Sequence, residues 1–124
     1  LAWKRTEFII RQSEFLDSDP EMRECTLIVY GKHPTLRVGD FLATEDGNAP
    51  LTAEGAQLLV KFEKYLNFLW RIAYAHLVLH TIGKKDLYAF GAYLRAVNGN
   101  PELRTYCNRA GYDEIITAAE RMAE

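Results

Sequence analysis

Residues 52–82 set the strongest constraint on the fold. Leu59, Phe62, Leu66, Leu69, Ala73, His76 and His80 recur at spacings of three and four, the period of one helix face. Leu58, Tyr65, Ile72 and Leu79 lie beside that stripe. From Tyr65 onward the segment is apolar nearly all round, interrupted by Asn67 and Arg71. A helix of that kind holds in water only when other elements cover most of it. Thr52 has the side chain of an N-cap, and Gly83 suits the residue that stops a helix. The expectation is one long central helix over 52–82 with the rest of the chain packed around it.

The flanking segments read as shorter helices. In residues 2–16, Phe8, Ile9, Gln12, Phe15 and Leu16 fall on one face, which predicts the core side. Trp3 and Ile10 fall opposite, seven residues apart. They mark either a helix buried on two sides or a contact for another chain. Asp19-Pro20 starts a second helix: Asp caps the free amides, and Pro loses nothing at the first position because its missing N–H has no partner there. Met22, Cys25 and Val29 form its stripe, while Thr26-Leu27-Ile28-Val29-Tyr30 is β-branched enough to suit a short strand instead.

Beyond the central helix, Asp86 is expected to cap a helix ending near Asn98-Gly99, with Leu87, Phe90, Leu94 and Val97 inward. Ala89, Ala92 and Ala96 offer it a smooth packing face. Asn100-Pro101 starts another, with Leu103, Tyr106 and Cys107 inward, and Gly111 breaks it. Ile115, Ile116, Ala119 and Met122 are the stripe of the last helix. Asp19-Pro20-Glu21-Met22-Arg23 and Asn100-Pro101-Glu102-Leu103-Arg104 share one helix-start pattern, with an acid against the positive helix end. The likeness covers only these residues, so no repeat architecture follows.

Residues 31–51 have no clear period and carry Gly31, Pro34, Gly39, Asp46-Gly47-Asn48 and Pro50. A loop of that length in a compact domain is functional, disordered or hides an element. Leu36, Val38, Phe41 and Leu42 are the residues that would tether it, and a short helix or hairpin fits there.

The chain of 124 residues is the size of one domain and can bury roughly two thirds of its unfolded surface. At 48% hydrophobic and 26% charged it has a globular composition. A net charge of −2 gives neither a nucleic-acid footprint nor a polybasic membrane patch, so no nucleic-acid partner is expected. Two cysteines are too few for a disulfide scaffold and fit a reducing compartment, with a single disulfide as the alternative. No signal peptide stands out, and Lys61, Glu63, Lys64 and Arg71 keep the most apolar stretch from spanning a bilayer. The opening at Leu1 rather than Met predicts a processed or excised piece of a longer protein.

Candidate chemistry is sparse. His76 and His80, four apart, are spaced to approach one metal ion from a helix face. The glutamate of the metalloprotease pattern is missing between them, and further ligands would have to come from Cys25, Cys107, His33 or Asp86. The plainer reading continues them along the core stripe, and a pH-sensitive contact is a third. Cys25 and Cys107 read as small core residues, since no base or polarising motif accompanies them. P-loop, dinucleotide and nucleophile-elbow motifs are absent. No catalytic residue, metal or cofactor is assigned.

The segment from Asp19 to Cys107 resembles a bacterial helical domain of unknown function often found just after an N-terminal membrane helix. The resemblance rests on Asp19-Pro20-Glu21-Met22-Arg23 after an amphipathic helix, and on Leu58-Leu59-Val60-Lys61-Phe62-Glu63-Lys64-Tyr65 after a variable loop. It also rests on residues 86–93 followed by Asn100-Pro101-Glu102-Leu103-Arg104. It implies a domain on the cytoplasmic side of a membrane and supplies no functional residues. Leu1-Ala2-Trp3-Lys4-Arg5 would then follow a removed anchor.

The expectation is therefore a single all-α domain over 1–124, an irregular bundle of about five or six helices. Its expected role is a non-enzymatic interaction domain, taking a protein partner or a second copy through Trp3 and Ile10, with the loop over 31–51 as a second surface. The location expected is the cytoplasm, with any membrane attachment made by a segment absent from this chain. The competing expectation is a ligand- or metal-binding sensor built on His76 and His80.

Overall fold

A computed structural model describes residues 2–42 and 52–123. The described residues form helices α1 (Ala2–Ser18), α2 (Pro20–Val29), α3 (Ala53–Leu77), α4 (Lys84–Leu87), α5 (Gly91–Asn98), α6 (Pro101–Ala110) and α7 (Asp113–Met122), with no strand among them. The fold is all-α. Single 3-10 turns occupy Val38–Asp40 and Tyr88–Phe90.

The helix starts follow their caps. Asp19 Oδ2 accepts from the Met22 amide at 3.1 Å, Thr52 Oγ1 from Gly55 at 2.9 Å and Asn100 Oδ1 from Leu103 at 3.1 Å. Each supplies a partner to an amide that has none within the helix. Gly31 and Gly111 follow the ends of α2 and α6 at φ +71° and +88°, where a side chain would be strained. The β-branched run 26–30 is helical through Val29, because its Ile28 and Val29 reach the core on the helical period.

The core forms where α3 and α7 meet. α3 buries Phe62, Tyr65, Leu66, Leu69, Ile72 and Ala73. α7 buries Ile115, Ile116, Ala118, Ala119 and Met122, and packs against α3, α5 and α6. The short last helix thus shares the central place with the long one. Phe41 and Val38 are buried as well, so the first part of 31–51 is anchored by the apolar residues expected to tether it. Residues 43–51 lie outside the described set.

Four expectations are corrected. α3 ends at Leu77, not Ile82. Its last turn widens, with the Leu79 amide bonding to Tyr74 O and Thr81 to Ala75 O, and His80 then reverses the chain at φ +56°. The reversal returns Ile82 to the core and leaves Val78 and Leu79 outside. Asp86 is the third residue of α4 rather than its N-cap, and its carboxylate reaches back to the Gly83 amide at 3.0 Å. The expected helix from Asp86 is split into α4, a 3-10 turn and α5, although Leu87, Phe90, Leu94 and Val97 are all fully buried as expected. Ala89 and Ala92 face solvent, and the close approach occurs at Gly91, where an added Cβ would collide with Met122 Cε.

Candidate functional site

α1 is the least embedded of the long helices. Of the face expected to be inward, only Leu16 is fully buried, and Ile9 packs partly on the core. Phe8 and Phe15 are 43% and 40% exposed, which overturns their assignment to the core. The reason lies in how α1 docks. Phe15 rests on Phe68 of α3 with ring centroids 5.3 Å apart, and Asp17 accepts a hydrogen bond from Tyr93 of α5. At the other end Arg5 pairs with Asp86 of α4 at 3.4 Å. Between these ties Ile9 packs partly on the core, and a gap separates the Phe8–Phe15 flank of α1 from α3.

The gap is an open groove of about 410 Å³ between α1 and α3. Phe8, Phe15, Phe68 and Ile72 supply its apolar walls, and Arg11 and Arg71 its cationic rim. Arg11 is paired with Glu7 one turn away. On the opposite flank of α1, Trp3 is 65% and Ile10 52% exposed. The helix therefore shows large apolar side chains on two sides. The 8/15 pair has the same seven-residue spacing as the 3/10 pair, which was the available sequence signal for a second open face.

The two histidines are not brought together on a helix face, since His80 lies past the end of α3 and is exposed. Neither continues the core stripe: His76 is half-buried. Its Nδ1 lies 3.1 Å from Ile82 O, and because a carbonyl only accepts, Nδ1 carries the proton. His33 holds its own loop, with Nδ1 accepting from Leu36 at 3.0 Å and Thr35 at 3.2 Å. Asp86 is engaged by Arg5 and Gly83. No group of three His, Cys, Asp or Glu side chains converges on a metal position among the described residues.

Cys25 and Cys107 are free thiols, both buried. Burial, reinforced by Glu24 and Glu21 at Cys25 and by Asp113 at Cys107, pushes each thiol up to about 12. They are protonated at neutral pH and serve as core residues. No helix among the described residues is long and apolar enough to cross a membrane.

Comparisons with protein-family models, curated proteins and solved structures find no match.

Proposed function

We propose that this chain is a non-enzymatic helical interaction domain that works beside a membrane in the intact protein and takes a protein partner or a second copy through α1. The observation that supports the reading is the two-sided apolar exposure of α1. Trp3 and Ile10 stand out on one flank and Phe8 and Phe15 on the groove flank. Isolated exposed apolar residues are ordinary, but a helix tied at its two ends with large apolar groups on both flanks is shaped to be covered. An amphipathic helix laid into the α1–α3 groove would bury Phe8 and Phe15 against Phe68, in a recurring mode of helix-in-groove recognition. The alternative, a sensor built on His76 and His80, has no converging ligand set among the described residues to support it.

Native mass spectrometry and light scattering test the reading. The expected result is a dimer, or a defined complex with a co-purified protein, that Ile10→Ser combined with Phe8→Ser reduces to monomer while the helical circular dichroism is kept. Association unaffected by substitutions on either flank of α1 would remove α1 as the contact. A bound metal or small molecule in the native mass would instead favour the sensor.

A further inference from the structure

α1 and α3 lie side by side with opposite sense. Phe15 meets Phe68, and Arg5 reaches Asp86 just past the turn that closes α3. At about 1.5 Å per residue, Trp3 lies about 18 Å along α1 from Phe15, and Leu77 about 14 Å along α3 from Phe68. The start of α1 and the close of α3 therefore share one end of the bundle. α4 begins there, and the end of α7 joins it, because His76, Lys84 and Arg121 line one pocket of about 420 Å³.

That end collects cations and exposed apolar groups. Lys4, Arg5, Lys84, Lys85 and Arg121 are exposed there, in a chain whose net charge is −2. Among the nearby acids of the described residues, Asp86 is taken by Arg5 and Glu7 by Arg11, while Glu120 stands next to Arg121 in the chain. Trp3, with Lys4 Nζ 5.7 Å from its ring, is exposed, as are Val78 at 48% and Leu79 at 56%. The turn that projects the two aliphatic residues is pinned from behind. Leu79 N bonds to Tyr74 O at 3.1 Å, Thr81 N to Ala75 O at 2.9 Å and His76 Nδ1 to Ile82 O at 3.1 Å.

We infer that this end of the bundle is a docking face for an anionic phospholipid surface. Lys4, Lys84, Lys85 and Arg121 meet the negative headgroups while Arg5 stays paired with Asp86, and Trp3, Val78 and Leu79 enter the interfacial layer, where indole rings and aliphatic groups are favoured. The pocket lined by His76, Lys84 and Arg121 opens on the same end and takes a lipid phosphate. A nucleic acid would match the charge but give the two aliphatic side chains nothing to enter. The inference deepens the membrane-side part of the proposed function. It shares Trp3 with the partner surface, but Lys84, Lys85 and Leu79 belong to it alone.

The test is co-sedimentation of the purified chain with phosphatidylcholine vesicles, with and without phosphatidylglycerol, at low and high salt. Binding is expected only with phosphatidylglycerol, and should fall as salt rises. Lys84→Gln with Lys85→Gln should weaken it ~30-fold, from the contribution of each cation near a charged membrane. Leu79→Ser should weaken it ~10-fold through lost apolar insertion. These positions are exposed, so both variants should keep the wild-type thermal melt. Equal binding to both vesicle types, no binding, or phosphatidylglycerol binding unchanged by the double lysine variant would overturn the inference. Saturable binding of inorganic phosphate without vesicle binding would replace it with a solute site. Ile10→Ser combined with Phe8→Ser separates the two proposals: the pair should abolish partner association and leave vesicle binding intact.

Discussion

The Tyr93 hydroxyl donates to Asp17 Oδ1 at 2.5 Å, across 76 residues of sequence. It fastens the end of α1 to α5, while the Arg5–Asp86 pair fastens its beginning to α4. Leu16 is the fully buried anchor among the described side chains of α1, and these two polar ties hold the helix on either side of a partly packed middle. That arrangement leaves both of its flanks open.

Tyr93→Phe should therefore loosen α1 in particular. The lost hydrogen bond to a charged acceptor is worth about 1 to 2 kcal/mol. Hydrogen exchange should show faster opening of α1 amides with α3 and α7 little changed. Equal loss of protection across all the helices would mean that α1 is an integral part of the cooperative core.

A graded series along α1 checks how it docks. Leu16→Ala should cost about 2 to 5 kcal/mol, the range for a large aliphatic residue removed from a filled core. Phe8→Ser and Ile10→Ser should each stay within about 0.5 kcal/mol, as exposed positions do. Urea denaturation decides it, and a large loss at Phe8 would place that ring in the core after all.

His80 holds a left-handed backbone, which costs a residue with a Cβ about 1 to 2 kcal/mol. Glycine avoids that cost but gives back roughly 0.5 to 1 kcal/mol through its freer unfolded chain. His80→Gly should raise the free energy of unfolding by roughly 0.5 to 1 kcal/mol, and should not alter any response to zinc. A marked loss of stability, or a zinc shift present only in the wild type, would show that the imidazole itself is at work.

Stability should fall on the alkaline side. Burial raises Cys25 and Cys107 from an ordinary 9.0 to about 12. It also raises Tyr65 and, with the help of Asp17, Tyr93 above their ordinary 10.0. These groups hold their protons in the folded protein at a pH where the unfolded chain has begun to lose them. Their contribution is fully present below the unfolded value of 9.0 and is lost as pH rises through the folded one. Urea midpoints should decline steadily from about pH 9 upward, and Cys25→Ala with Cys107→Ala should flatten the first part of that decline. A flat profile up to about pH 11 would mean that the thiols are not shielded from water.

Much of the fold was legible because it is written in local terms. Asp19, Thr52 and Asn100 cap where a short polar side chain precedes an apolar period, and Gly31 and Gly111 take the left-handed conformations that favour glycine. Leu87, Phe90, Leu94 and Val97 are buried as their spacing requires, even though the backbone that carries them changes from α-helix to a 3-10 turn and back. The end of α3 was not legible. Val78, Leu79 and Ile82 continue the apolar pattern equally well, and only the reversal at His80 separates the one that is buried from the two that are not.

By itself the sequence determined an all-α chain, where most of its helices begin, and most of the residues of α2, α5, α6 and α7 that face inward, Ile28 and Ala118 being buried beyond those expected and Tyr106 only half-buried. These follow from capping chemistry and apolar period, which act within a few residues. Tertiary structure alone decided that α7 shares the centre with α3, that α1 is held by Leu16 with Tyr93 and Asp86 rather than by the whole of its apolar face, and that His76 and His80 do not share a helix face. Periodicity identifies a side chain that gains by leaving water; whether a neighbour arrives to cover it depends on the packing of segments distant in the chain.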